Sequence, residues 1–171
     1  SDIVIDCDGY SIQGDFSNSS STGIYFGGQN NVTIQNCDVS GFAMGIWSWG
    51  SSGSTIIDNE IYDNYQEGNL APRGLYFGSG MYYLTIANNN ISNNSYRGIM
   101  FDEEEGESDF INITGNRIEY HTEQGIYISQ YVNVSYVYNN YLDNMNNIFD
   151  NGTITFYNIT KTSGTNIIGG A

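Results

Sequence analysis

The feature that most constrains this chain is a short pattern that returns along its whole length. One marker is an Asn-x-apolar corner, in which cysteine replaces asparagine once. A second marker, Gly-apolar-bulky, begins at Gly23 and recurs after 22, 29, 24, 27 and 22 residues. The corner marker occupies residues 37–39, 59–61, 89–91, 116–118 and 140–142. Because the two markers always alternate in the same order, the chain is an array of six repeats with a partial seventh.

Each repeat predicts short strands and no helix. Apolar residues alternate with polar ones at 32–34, 84–86 and 111–113, and each run ends at Asn, Gly or Asp. Strands this short cannot bury a face alone, so successive repeats must stack. The sequence therefore predicts an all-β fold, a single right-handed parallel β-helix of six to seven coils that forms one domain over residues 1–171. A β-sandwich is the alternative, but it would not need the markers in constant order.

The corner marker also predicts what lies inside one bend of the coil. Stacked coils lie about 4.8 Å apart, so equivalent residues contact their own kind. Asparagine tolerates tight bends and can hydrogen-bond the next asparagine. The expected ladder consists of Asn59, Asn89, Asn116 and Asn140.

Five motifs of the sequence also resemble those of a known group. They are DCDGYSIQG (6–14), GIYF (23–26), NVTIQNCDVSGF (31–42), GIW (45–47) and TKTSGTNIIGG (160–170). These resemble the parallel β-helix repeat proteins of methanogen cell surfaces, a group related to the NosD periplasmic family and to carbohydrate-acting β-helix domains. The resemblance covers essentially the whole chain and implies a right-handed β-helix in an extracellular or envelope setting. It is weak for activity, since such coils carry lyases, hydrolases, adhesins and passive surface proteins.

The net charge of the chain limits the classes of binding partner that can be expected. Lys and Arg total 4 against 19 Asp and Glu, which gives a net charge of -15. Such a surface repels phosphate backbones and anionic lipid headgroups, so nucleic acid is not an expected partner. The longest apolar runs are far shorter than a membrane-spanning helix, and membrane insertion is not expected either.

The two cysteines, Cys7 and Cys37, occupy corners of the first two coils. A disulfide between them would close a loop of about 30 residues and contribute on the order of 3 kcal/mol. The alternative is two buried free thiols that behave as small apolar side chains.

Two further kinds of modification or ligand site fall in predicted loops. Asn18 and Asn93 begin Asn-x-Ser sequons in such loops and are the candidate glycosylation sites. An acidic loop at 102–109 could supply oxygen ligands to Ca²⁺. Its candidate ligands are Asp102, Glu103, Glu104 and Glu105. A solvated charge run is the alternative, and no other cofactor is expected.

The Gly-apolar-bulky marker predicts a row of large side chains on the outer surface. Because side chains alternate along a strand, the residue after each inward aliphatic points outward. We call this set the outward row: Tyr25, Trp47, Tyr76, Met100, Tyr127 and Phe149. An exposed row of this length would serve as a binding or assembly face, either for another protein copy or for sugar rings. The alternative is that the rings only stack on each other and stabilise the sheet.

Enzyme chemistry has little support in the sequence. The acids on the strands of the outward row are Asp102 and Asp150, two coils apart and one residue out of register, and the arginines are interpreted as scattered at turns. A lone His121 cannot complete a catalytic triad. Copper is not expected despite the NosD resemblance, because the methionines occupy different parts of their coils and no second histidine joins them.

The function predicted from the sequence is an extracellular structural protein of the cell envelope, of the surface-layer or sheath type. Its copies would form an oligomer, filament or sheet through open coil edges, at residues 3–5 and 153–171, and through the outward row. A glycan-binding module, with cell-surface polysaccharide as partner, is the first alternative. A polysaccharide lyase or glycoside hydrolase is the second.

Overall fold

Nineteen short strands, β1 to β19 in chain order, make up the fold, and every pairing between them is parallel. The structure is a computed structural model that describes residues 2–16, 20–65, 71–102 and 106–157. These residues contain no helix. Strands three apart in sequence lie side by side in the same sheet, so each coil contributes one strand to each of three sheets. The expected parallel β-helix is confirmed, with six coils of three strands and β19 opening a seventh.

The strand bounds follow the predicted repeat. The first sheet contains β1 (Ile3–Asp6), β4 (Val32–Gln35), β7 (Thr55–Ile57), β10 (Thr85–Ala87), β13 (Ile111–Thr114), β16 (Val134–Tyr138) and β19 (Ile154–Tyr157). The second sheet contains β2 (Ser11–Gln13), β5 (Asp38–Ser40), β8 (Glu60–Tyr62), β11 (Asn90–Ser92), β14 (Arg117–Glu119) and β17 (Tyr141–Asp143). The third sheet contains β3 (Thr22–Tyr25), β6 (Met44–Ser48), β9 (Arg73–Phe77), β12 (Arg97–Phe101), β15 (Gln124–Ile128) and β18 (Asn146–Asp150).

The core consists of columns of aliphatic side chains, one column from each sheet. In the first sheet Ile34, Ile56 and Ile86 are in register and fully buried. The other two sheets contribute equivalent columns around Ile61 and Leu75. Parallel in-register stacking therefore places each apolar residue on another of its kind, which explains why so few residue types recur inside.

The predicted asparagine ladder lies at the bend between the first and second sheets. The Nδ2 of Asn59 donates to Asn89 Oδ1 at 2.9 Å, and the same bond joins Asn89 to Asn116 and Asn116 to Asn140 at 3.0 Å. Each Nδ2 also donates to a backbone carbonyl of the neighbouring coil. All four side chains are buried, so the ladder satisfies polar backbone groups that water cannot reach.

A second ladder lies at the bend between the second and third sheets, and we did not predict it. Asn64 Nδ2 donates to Asn94 Oδ1 at 2.9 Å and to a backbone carbonyl. Asn144 holds the same place two coils on, while His121 fills the coil between. The pattern Asn-x-Ile-x-x-Asn at 59–64 and 89–94 would have revealed this ladder.

The second ladder explains the glycine in the Gly-apolar-bulky marker. A Cβ placed on Gly45 would lie 2.8 Å from Asn64 Nδ2, and one on Gly74 would lie 2.8 Å from Asn94 Nδ2. A Cβ on Gly98 would overlap the His121 ring. At these three positions the marker glycine is therefore required, because the ladder side chain and the carbonyl of the next marker glycine occupy the space of a Cβ.

Candidate functional site

The candidate site is the outer face of the third sheet, where two rows of side chains point away from the core. The row nearer the strand starts includes Arg73 and Arg97, which are direct register partners. The other is the outward row, in which Trp47 pairs with Tyr76 and Met100 with Tyr127. The in-register pairing of the strands therefore places equivalent side chains of successive coils next to each other on this face.

The outward row is open at the coils nearest the chain start. Tyr25 is 50 % exposed, Trp49 is 48 % exposed, and Trp47 is half-buried between its neighbours. The Trp49 Nε1–H donates to the Tyr25 hydroxyl at 2.6 Å, and the Tyr25 and Trp47 ring centroids are 4.8 Å apart. We call Tyr25, Trp47 and Trp49 the aromatic patch. It is an exposed apolar surface in which the indole donor of Trp49 is already satisfied.

The middle of the outward row differs from the prediction. Met100 and Tyr127 are only 5 % and 6 % exposed. Arg73 and Arg97, which we call the arginine pair, cover them. The Arg97 guanidinium lies 4.0 Å from the centre of the Tyr127 ring, and both arginines donate to the Met100 sulfur. The expectation of a continuous exposed row was therefore wrong, because long cationic side chains lie flat over these two residues.

Ring faces along the row are already in contact with other groups. The Arg73 guanidinium lies 4.4 Å from the centre of the Tyr76 ring, and Trp47 stacks on Tyr76 at 6.2 Å. Tyr127 stacks on the exposed Phe149 at 5.0 Å and an interplanar angle of 7°. Rings that stack along the helix axis turn their edges outward, which limits the face area that a sugar ring could cover.

The arginine pair corrects a second expectation. Arg73 and Arg97 are the first residues of β9 and β12 and are not scattered at turns. Burial lowers the pKa of Arg73, and the neighbouring Arg97 charge lowers it further, while Tyr76 and Asp102 act in the opposite direction. The sequence signal was the arginine directly before the marker glycine in RGLYF and RGIMF. Arg117 lies on the second sheet, where it pairs with Glu119.

The two acids of this face are each bound to a tyrosine. Asp102 accepts a hydrogen bond from the Tyr76 hydroxyl, and Asp150 accepts one from the Tyr157 hydroxyl at 2.7 Å. Burial and the Asp150 carboxylate raise the pKa of Tyr157. Asp102 directly follows β12 and Asp150 ends β18; these two strands are separated by β15 and lie roughly 10 Å apart. A glycosidase needs one carboxyl group free to protonate the leaving group, and this arrangement does not offer a ready acid and base.

Cys7 and Cys37 form the predicted disulfide, with Cα atoms 4.8 Å apart. The backbone N–H of Cys37 donates to Asn59 Oδ1 at 3.0 Å. The disulfide therefore continues the corner of the first asparagine ladder, with a covalent bond in place of the amide contact. It holds the first coil to the second.

The structure does not test the remaining predicted sites, which are the glycosylation sites and the calcium loop. Asn93 is exposed and its Nδ2 donates to Asp63, so its glycosylation stays a prediction. Asn18 lies outside the described residues, as do Glu103–Glu105 of the proposed calcium loop. Among the residues that are described, no three His, Cys, Asp or Glu side chains are grouped to hold a metal ion. Calcium at Asp102 therefore also stays a prediction.

His121 fills an asparagine position of the second ladder, but its side chain makes none of the ladder's hydrogen bonds. Its side chain is 3 % exposed, and neither ring nitrogen has a hydrogen-bond partner among the described residues. Burial lowers its pKa from 6.5 to about 4. The imidazole is therefore neutral at physiological pH and is enclosed within the coil bend.

Comparison with known proteins gives one family. The family model described as periplasmic copper-binding protein (NosD) matches residues 1–171. No curated protein matches the chain. In the described ranges, no helix has the length and apolar character needed to cross a membrane.

The described residues do not offer copper a fitting set of soft ligands. Both cysteines are consumed in a disulfide, so they offer no thiolate. Met81 lies in the core and Met100 lies under the arginine pair; Met44 begins β6, in register with Arg73, and Met145 is exposed elsewhere. His121 is enclosed in its ladder without a second histidine, since the chain has only one. Soft copper sites need several such ligands converging on one point, and the described side chains do not converge.

Proposed function

Because this chain belongs to the NosD family of periplasmic proteins, we propose that it is a structural protein of the cell envelope whose copies associate through the aromatic patch. The observation that carries this proposal is the patch itself. Tyr25, Trp47 and Trp49 form a contiguous exposed aromatic surface on a rigid sheet, beside coils in which the same row is covered. Exposed apolar surfaces of this kind mark contact sites.

Two properties of the patch favour a protein contact. Tryptophan and tyrosine are the residue types most enriched among side chains that dominate binding energy at interfaces. The Trp49 Nε1–H already donates to Tyr25, so covering the patch would not leave that donor without a partner. A second copy can therefore cover Trp49 without leaving its indole donor unpaired.

The net charge of the chain determines how its self-association should depend on salt concentration. Two chains of net charge -15 repel each other, and this repulsion is screened over about 10 Å at 0.1 M salt. Apolar contact should then outweigh repulsion as salt rises. We expect association to strengthen between 0.02 M and 0.5 M NaCl, which is the reverse of what an ion-paired interface would show.

Sedimentation equilibrium at several salt concentrations tests the proposal. Trp49→Ala and Trp47→Ala should each weaken association by about 30-fold, which corresponds to about 2 kcal/mol for a central tryptophan. Tyr136→Ala is the matched control, because Tyr136 is an exposed, stacked aromatic on the first sheet. Circular dichroism should show the β signal unchanged in all three variants.

A wild-type protein that stays monomeric at millimolar concentration and high salt would refute the proposal. Equal weakening by Tyr136→Ala would show that general surface apolarity, and not the patch, drives association. Association through the coil edges stays a prediction. Glycan binding has one specific observation in its favour, the arginine pair, which lies outside the aromatic patch.

A further inference from the structure

The arginine pair is unusual for this chain. Only four basic residues occur in the sequence, and two of them, Arg73 and Arg97, lie in adjacent strands in direct register. Adjacent parallel strands are about 4.8 Å apart, so two positive charges are held near each other on one face. Arg73 is partly buried, which makes the pair more costly than two exposed cations.

The guanidinium groups are held in fixed positions by their neighbours. The Arg73 group lies over Tyr76, and the Arg97 group lies 4.5 Å and 4.0 Å from the ring centres of Tyr96 and Tyr127. Arg97 Nε donates to Gln124 Oε1 at 2.6 Å. Flat contact with rings orients a guanidinium without using its N–H donors, so the Nη donors that are not bound to Met100 stay available for an acceptor.

The acceptors that the pair contacts are neutral. Arg73 donates through Nε to the Met100 sulfur, and Arg97 donates through Nε and Nη1 to Gln124 and Met100. Each guanidinium carries five N–H donors. Within the described part of the chain, the remaining Nη donors have no acceptor. The contrast is Arg117, whose Nε lies 2.7 Å from the Glu119 carboxylate.

We propose that the arginine pair binds the carboxylate of a uronic-acid residue in an otherwise neutral glycan. A carboxylate matches the guanidinium fork and offsets the repulsion between the two cations. Trp47 stacks on Tyr76 one coil away, so a sugar ring attached to that carboxylate would lie against aromatic edges.

The charge of the whole protein selects the kind of glycan. The chain carries nineteen acidic residues, and one of them, Asp102, lies at the same face as the two cations. A polyuronate would bring many negative charges toward this surface and be repelled, whereas a single carboxylate meets the pair at short range. The site therefore favours a sparsely charged glycan over a polyanion.

The experiment titrates the full chain with an oligosaccharide that carries one glucuronate among neutral hexoses. The Arg Nε–H NMR signals and calorimetry report binding. The neutral oligosaccharide of equal length, inorganic phosphate and polygalacturonate are the comparison probes. We expect the singly charged sugar to bind at least 10-fold more tightly than each of these at 0.05 M NaCl.

Substitutions of the two arginines test whether they bind the carboxylate. Arg97→Gln and Arg73→Gln should each weaken binding by about 10-fold or more, since a charge-assisted bond contributes roughly 1.5 kcal/mol or more. Arg97→Lys keeps the charge but loses the fork and should also weaken binding, which covers the case in which a glutamine variant fails to fold. Arg117→Gln is the matched control, because Arg117 also lies over a tyrosine ring, at 4.9 Å, and should leave binding unchanged.

Several outcomes would overturn the inference. Equal affinity for the neutral sugar would remove the role of the carboxylate, and equal affinity for phosphate would show a general anion site. Absence of shifted arginine signals at millimolar sugar would remove the site itself. The same titration in Trp49→Ala separates this inference from the proposed function, because sugar binding should persist when self-association is lost.

Discussion

Replacing His121 with asparagine should stabilise the protein, and the gain should grow as pH falls. His121 occupies the place that Asn64, Asn94 and Asn144 hold in other coils of the second ladder. An asparagine there can accept from the Asn94 amide and donate to Asn144 Oδ1, as its equivalents do. Restoring these two buried hydrogen bonds, less the packing lost with the imidazole ring, should contribute about 1 kcal/mol at neutral pH.

The pH dependence follows from the lowered pKa of His121. Burial holds this pKa at about 4, while the imidazole of the unfolded chain keeps its ordinary value of 6.5. Between these values the unfolded chain binds a proton that the folded chain does not, so stability is full above pH 7 and falls as pH drops from 6.5 to 4. Through His121 alone, the free energy of unfolding falls by about 2 kcal/mol at pH 5 and by about 3 kcal/mol at pH 4.

The measurement is urea unfolding of wild type and His121→Asn at pH 7.5, 6.0, 5.0 and 4.0. The other titrating groups are common to both proteins, so to first order their effect cancels in the difference. The stability difference should rise by about 2 kcal/mol between pH 7.5 and pH 5, which corresponds to roughly 4 to 8 °C in melting temperature for a domain of this size. A difference that stays constant with pH would refute the reasoning, since it would mean that the buried imidazole titrates normally or finds a partner in the folded protein.

Two further predictions concern the first ladder and the disulfide. Asn89→Ala should lower the free energy of unfolding by about 3 kcal/mol, because Asn89 donates to two backbone carbonyls and to Asn116 in a buried bend. Asn90→Ala, one residue away on the outer face, is its control and should cost less than about 1 kcal/mol; equal losses in urea unfolding would count against the ladder. Cys7→Ser should lower stability by about 3 kcal/mol, as should reducing the wild type, because the bond to Cys37 closes a 30-residue loop. Mass spectrometry that finds two free thiols in the unreduced protein would contradict it.

The repeat made the interior predictable from sequence. Each inward residue is in register with an equivalent residue above and below, so the same type recurs and can be counted. Ile34 above Ile56 and Asn59 above Asn89 are such pairs, and the predicted columns are present. The second ladder was missed because His121 replaces asparagine between Asn94 and Asn144, which breaks the repeat at the third position of the ladder.

The outer face was predicted less well, for a physical reason. Strand alternation gives the direction in which Met100 and Tyr127 leave the backbone, but not what lies on top of them. Their burial depends on the reach of Arg73 and Arg97, whose flexible side chains can cover a neighbouring coil. Periodicity cannot encode a contact between two different rows, so the exposed length of the outward row could be known only from the structure.

This difference between inside and outside also indicates where a stacked-coil protein can carry function. An inward residue packs against the coils on both sides, and this packing favours the same residue type at equivalent positions of neighbouring coils. An outward residue meets solvent on one side, so a departure from the repeat there costs the fold little. Arg73 and Arg97 replace the polar or apolar residues that occupy the same row at Met44 and Gln124, and they do so in two consecutive coils of an acidic chain. Mutual repulsion and partial burial make this arrangement unfavourable for a scaffold alone. A bound carboxylate would remove that cost, which is why we propose the arginine pair as the ligand site of this face.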